Sequence, residues 1–192
     1  YSRAVDPTLA APLSTIASHQ VTATKQTEEA CHQLLDYVLT HPNAAVCFMA
    51  NNMILAVHSD TSYLSESKAR SRVAGHFHLA KQNDEEYNNR VVLTLSTIIQ
   101  YVVASTSEAE LAALFYNTRE AVPLCITLEE MGHPQPPTPL ITDNNTAHGL
   151  TTGAMIPKRS KAVDMRFHWL KCREGQQLFK TKWKWGAVDK AD

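Results

Sequence analysis

The sequence predicts an α/β fold, a sheet with helices packed on it, and three observations lead there. β-type runs come first, one long amphipathic helix follows them, and shorter strand and helix signals continue to the end. At 192 residues and 44% hydrophobic, the chain can bury one compact core and carry an appendage besides. A formal net charge of −1 draws no particular class of partner. No apolar run approaches the roughly 20 residues of a membrane span, so no membrane partner is expected. Cys31, Cys47, Cys125 and Cys172 include no C-x-x-C pair. A disulfide framework or zinc knuckle is therefore not predicted, and a reduced intracellular setting is.

The elements follow in order. Residues 1–25 are rich in Pro, Ser and Thr without periodicity and read as a tether. Ala30, Leu34, Leu35, Val38 and Leu39 then recur at helical spacing up to His41-Pro42, where proline stops a helix. The runs 44–50 and 53–59 flank Asn51-Asn52 as the arms of a hairpin would. Residues 71–80 set Val73, Gly75, Phe77 and Leu79 against Arg72, Ala74, His76 and His78, the pattern of a half-buried strand. The β-branched run 90–99 predicts another strand.

Leu111, Leu114, Phe115, Thr118, Val122, Cys125 and Leu128 make the clearest helical stripe in the chain. Ser107 is the expected cap, Pro123 the expected bend, and Gly132-His133-Pro134 the stop. "LITD" (140–143) predicts a short buried strand before a small helix. Residues 161–177 predict a helix with Val163, Phe167, Leu170 and Lys171 on one side. In "FKTKWKW" (179–185), Phe179, Thr181, Trp183 and Trp185 share one strand face and Lys180, Lys182 and Lys184 the other. Lys158 to Lys184 holds half of all Lys and Arg, opposed only by Asp164 and Glu174. Such a segment suits a polyanion, although most charge runs are solvated faces.

Three carboxylates stand where an apolar strand meets a turn or helix: Asp60, Glu110 and Asp143. Each has a local explanation. Asp60 can cap the turn in "SDTS", Ser107 and Glu110 fit a capping box, and Asp143 can open a helix. Together they mean more, because strand ends in an α/β sheet converge on one edge where ligands bind. Gathered carboxylates repel one another unless divalent cations neutralise them. Two Mg2+ ions about 3.5–4 Å apart would clamp a phosphodiester there. His76 and His78 share a strand face but lack a third ligand nearby, so they read as surface or packing residues.

These stretches are similar to the ribonuclease H domain of copia-type retrotransposon polyproteins. The similarity runs through "HSDTSYLSE" (58–66), "STSEAELAALFYNTREAVPL" (105–124), "TDNNTAH" (142–148), "KRSKAVDMRFHWLK" (158–171) and "GAVDKAD" (186–192). It spans residues 53–192, and residues 41–60 resemble the segment joining such a domain to its reverse transcriptase. The resemblance implies a ribonuclease H-like fold: a mixed five-stranded sheet flanked by helices, in residues 43–192 and truncated at the C-terminus. Residues 1–42 would be a tether and helix from the reverse transcriptase connection.

The same resemblance implies hydrolysis of the RNA strand of RNA–DNA hybrids during reverse transcription. Asp60, Glu110, Asp143 and Asp192 would be the catalytic and metal-binding residues, holding two Mg2+ that Mn2+ can replace. This D-E-D-D order differs from that of integrases, where the glutamate comes last. Ser62, Asn145, Lys158, Arg159 and Lys184 would contact the nucleic acid. The partners would be the hybrid and the reverse transcriptase portion of the same polyprotein, in a cytoplasmic element particle or the nucleus. Two departures stand out. No histidine precedes the last aspartate in "WGAVDKAD", and the aspartate pair of a polymerase site is absent. With Asp192 last, weak binding of the second metal is expected. The alternative is a remnant that binds nucleic acid, or a structural domain, without turnover.

Overall fold

The computed structural model describes residues 2, 6–45, 47–82, 89–155, 165–186 and 191. Its sheet has five strands: β1 (Ile54–Glu66), β2 (Arg70–Ala80), β3 (Val91–Ile98), β4 (Thr138–Thr142) and β5 (Phe179–Trp183). They lie in the order β3-β2-β1-β4-β5. The first three form an antiparallel meander, while β4 pairs parallel to β1 and β5 parallel to β4. The helix α3 (Thr106–Glu130) carries the chain from β3, at one edge, across the sheet to β4, which pairs parallel to β1. It packs on β1 and β2. Two shorter helices, α4 (Asn145–Thr151) and α5 (Met165–Gly175), lie between β4 and β5.

The core lies between α3 and the sheet, where Leu55, Val57, Val73 and Phe77 meet Ala109, Ala113, Leu114 and Ala121. The α3 stripe follows the expected period, and the helix continues through Pro123. One polar contact fixes how close helix and sheet come. Asn117 Nδ2 donates to Ser59 Oγ at 2.8 Å and to the Ala74 carbonyl at 2.9 Å. Any Cβ at position 75 would overlap Asn117 Oδ1, so Gly75 is the residue that admits this side chain. On α5, Phe167 and Leu170 are buried as the spacing predicts, whereas Lys171 is exposed.

Several expectations need correction. Residues 44–50 form no strand among the described residues, and β1 pairs with β2 instead. The Asn51 side chain does make a local turn, donating to the Met49 carbonyl and accepting from Met53 N–H. The segment before it is held by Asn89, which bonds both the N–H and the carbonyl of Met49. A side chain thus replaces a strand ladder there. The tether is also partly helical: α1 (Ala10–Ser18) stands between single 3-10 turns at Pro7–Leu9 and Gln20–Thr22. Among the described residues of this stretch, only Leu9 and Ala10 are buried apolar residues, too few to print a period on the sequence. The helix α2 (Lys25–Thr40) has a side-chain cap at Thr24 and no buried residue, with Leu39 75% exposed.

β2 is covered on both faces rather than one. α1 packs on β3. Arg72, on the face opposite Val73, donates to Thr15 Oγ1 of α1, to Ser96 Oγ of β3 and to Glu66 Oε1 at 2.6 Å. That buried guanidinium fastens the N-terminal segment to the sheet face that α3 leaves open.

Candidate active site

Strand pairing brings two of the three carboxylates together. β1 and β4 run parallel with His58 opposite Ile141. Two residues further along each chain come Asp60 and Asp143, side by side at the end of β4. α3, lying across β1, adds Glu110. Carboxylate oxygens of Asp60, Glu110 and Asp143 lie within 4.8 Å of one another. Among the described residues, no other group of three His, Cys, Asp or Glu residues brings ligand atoms so close.

Glu110 faces inward because a different residue caps the helix. Ser105, not Ser107, is the N-cap, and its hydroxyl accepts from Glu108 N–H at 3.2 Å. Glu108 in turn accepts the Ala104 N–H at 2.7 Å. The capping contacts therefore use Ser105 and Glu108 and leave Glu110 on the buried face with Ala109 and Ala113. Glu110 is 3% exposed. Thr61 Oγ1 donates to its Oε1 at 2.7 Å, and its Oε2 has no hydrogen-bond partner among the described residues. Burial, with the negative charges of Asp60 and Asp143, pushes the Glu110 carboxyl up to about 8; the Thr61 hydrogen bond opposes the shift.

Asp143 is exposed, and it is not a helix cap. Asn144 is, accepting from Ala147 N–H at 2.9 Å. The backbone carbonyl of Asp143 accepts from Trp183 Nε1 at 2.7 Å. Gly186 lies so near that a Cβ there would stand 2.9 Å from Asp143 Oδ2.

A divalent cation fits this donor set. The ligands are all oxygen, three carboxylates face one another, and a buried carboxylate oxygen of Glu110 has no other hydrogen-bond partner. Of the expected nucleic-acid contacts, Ser62 is exposed two residues beyond Asp60, and Asn145 is exposed at the start of α4. Lys184 is half-buried, and its backbone N–H bonds the Thr142 carbonyl next to Asp143. Asp192, Lys158 and Arg159 lie outside the described residues.

Sequence reasoning missed three features. Thr61, the hydroxyl that holds Glu110, carries no motif. A third imidazole does stand beside His76 and His78: His58, opposite His76 in the β1–β2 ladder, with ring centroids 5.5–6.2 Å apart. The register was the only signal for it. His58 and His78 are buried, so packing rather than surface exposure describes them. Lastly, Trp183 and Trp185 do not continue the buried face of Phe179 and Thr181. β4 and β5 end together at Thr142 and Trp183, and there Trp183 is 44% and Trp185 70% exposed.

No family model matches the chain. Its sequence is similar to the retrovirus-related Pol polyprotein from transposon TNT 1-94 of Nicotiana tabacum, 24% identical over 147 residues and 77% of the chain. The chain spans about a tenth of that polyprotein's length, the match covering 10% of it. Among solved structures, the chain resembles the N-terminal ribonuclease H domain of a Mycobacterium tuberculosis protein. There the TM-score is 0.50 and the identity 11%, over 72% of this chain and 92% of that one. It also resembles a type 1 ribonuclease H isolated from compost, with a TM-score of 0.52 and 9% identity, over 71% of this chain and 88% of the other. The chain thus has the ribonuclease H fold, with the mixed five-stranded sheet and flanking helices expected from the sequence.

Proposed function

We propose that the chain is the ribonuclease H of a copia-type retrotransposon polyprotein, cutting the RNA strand of RNA–DNA hybrids formed during reverse transcription. One observation carries this reading. On a ribonuclease H fold, three carboxylates from β1, α3 and the end of β4 meet within 4.8 Å, one of them buried with a bare oxygen. Residues 43–192 would carry the activity, and residues 1–42 would belong to the connection with the reverse transcriptase, in a cytoplasmic element particle.

Asp60, Glu110 and Asp143 would hold divalent cations, Mg2+ or Mn2+, with Asp192 as the fourth ligand that the family resemblance implies. When bound, such ions activate water and stabilise the leaving oxygen of a phosphodiester. The chain's own residues prepare that place. Thr61 holds one oxygen of Glu110, which leaves the other for the shared centre. Asp143, exposed at the rim, is open to a phosphate backbone. Ser62 and Asn145 offer polar side chains beside the carboxylates, and Lys158, Arg159 and Lys184 would contact phosphates. The 2′-hydroxyl would tell the RNA strand from DNA.

The test is direct: incubate the chain with RNA-labelled hybrid and Mg2+ or Mn2+, then separate the products. RNA fragments with metal and none with a chelator support the reading. An intact RNA strand in both metals, with the protein folded, sinks it.

A further inference from the structure

Two indoles border the acidic cluster, and nothing in the proposed chemistry uses them. Trp183 ends β5, and Trp185 follows it after Lys184. Their ring centroids lie 6.4 Å apart with the planes at 71°, edge against face. At 44% and 70% exposed they show water a large apolar area. Their position is fixed all the same. Trp183 Nε1 is hydrogen-bonded to the Asp143 carbonyl, and the chain just past Trp185 packs against the Asp143 carboxylate at Gly186. Lys180, Lys182 and Lys184 alternate with these residues and make the strand basic.

Exposed indole faces suit nucleobases, which stack on indole whatever their sequence, while the lysines lie on the opposite face of the strand. Inside a duplex both faces of every base are covered by neighbouring pairs. A base with a face open on the strand itself is an unpaired one, since a blunt end offers only the outer face of its terminal pair. The edge-to-face geometry leaves a notch in which one indole meets a base face and the other meets its edge. We propose that Trp183 and Trp185 form a stacking platform for an unpaired nucleotide running off the hybrid next to the acidic cluster, so that the chain prefers hybrids bearing a single-stranded tail. This inference rests on the hybrid reading above, yet it concerns binding and can be read without turnover.

The full chain would be titrated in EDTA, so that nothing is cut, with a blunt RNA–DNA hybrid and with the same hybrid carrying a short single-stranded tail. Intrinsic fluorescence reports on the platform, because the third tryptophan, Trp169, packs against Phe115 and Arg173 instead. The tailed hybrid should quench more strongly and bind more tightly. Trp185→Ala should weaken binding of the tailed hybrid by about 5- to 100-fold and leave the blunt one unchanged. Trp185→Phe should keep most of the affinity and Trp185→Leu should not, since leucine has bulk without a π face. Equal binding of tailed and blunt hybrids overturns the proposal. So does a Leu variant as good as Phe, which would mark a plain apolar contact such as a protein partner makes. The two readings separate cleanly: a chain that stacks tails but cuts nothing keeps this inference and loses the hydrolase. One that cuts both hybrids alike without quenching does the reverse.

Discussion

The acidic cluster and the histidine cluster share β1, where His58 and Asp60 are two residues apart, yet they are gathered differently. The imidazoles come from adjacent antiparallel strands, and simple alternation on β2 and the register of β1 bring them together. The carboxylates come from β1, α3 and the end of β4, fifty and thirty-three residues apart along the chain. The three imidazoles pack against one another on one face of the sheet. Three carboxylates, one buried, oppose the fold that assembles them, as the raised Glu110 pKa records. Local pairing accounts for the first cluster, whereas the second needs a counter-charge to make sense.

The largest expected effect tests the acidic side of that contrast. Asp143→Asn should lower hybrid hydrolysis at least on the order of a hundredfold, because it removes the charge a cation needs. The melting temperature should drop by no more than about 2 °C, since Asp143 is exposed and holds Trp183 through its carbonyl. Near-native turnover in this variant would reduce the cluster to an accident of packing. Thr61→Val comes next. It keeps the shape but deletes the donor to Glu110, and should weaken Mn2+ binding by about 10- to 100-fold, with Thr61→Ser close to native. Titration calorimetry would decide; equal affinity for the Val variant would make Thr61 a packing residue.

The histidine side should respond in stability alone. His78→Ala, at a fully buried site, should cost about 2–4 kcal/mol in urea unfolding and leave Mn2+ affinity unchanged. A loss of metal binding in that variant would erase the contrast. A last test is in pH. The Glu110 carboxyl titrates near 4.5 when the chain is unfolded and near 8 in the metal-free fold. Over that interval the unfolded chain gives up a proton that the folded one keeps, so metal-free stability should fall as pH rises and then level off. Glu110→Gln should flatten that decline, and so should Mn2+ added to the native chain. Parallel stability profiles for the native chain and Glu110→Gln in EDTA would contradict the assignment.

Much of this was legible in the sequence because it is periodic. The α3 stripe and the acid at the end of β4 are repeating or positional signals, and the structure keeps them. Asp60, expected where a strand ends, instead lies inside β1, which runs on to Glu66, and β2, expected half-buried, is buried on both faces. What stayed hidden depends on single side chains acting at long range. Asn89 holding Met49 takes the place of a strand ladder, and Arg72 fastening Thr15 orders a segment whose sequence has no period. The cap moved from Ser107 to Ser105 because two serines and two glutamates offer the same pattern two residues apart, and only burial of Glu110 decides between them. Thr61 was unreadable for a similar reason: a lone threonine in a strand looks like any other β-former.

Gly75 and Asn117 have a mechanical consequence. Asn117 stands seven residues after Glu110, about two helical turns, so both project from the same side of α3. Its amide engages Ser59, the residue before Asp60, and the carbonyl of Ala74 across the ladder. It therefore acts as an indexing pin for the helix. A slip of α3 by one turn would carry Glu110 about 5.4 Å along the axis, further than the 4.8 Å within which the clustered oxygens all lie. A missing side chain at position 75 thus sets the tolerance to which a carboxylate two turns away is placed.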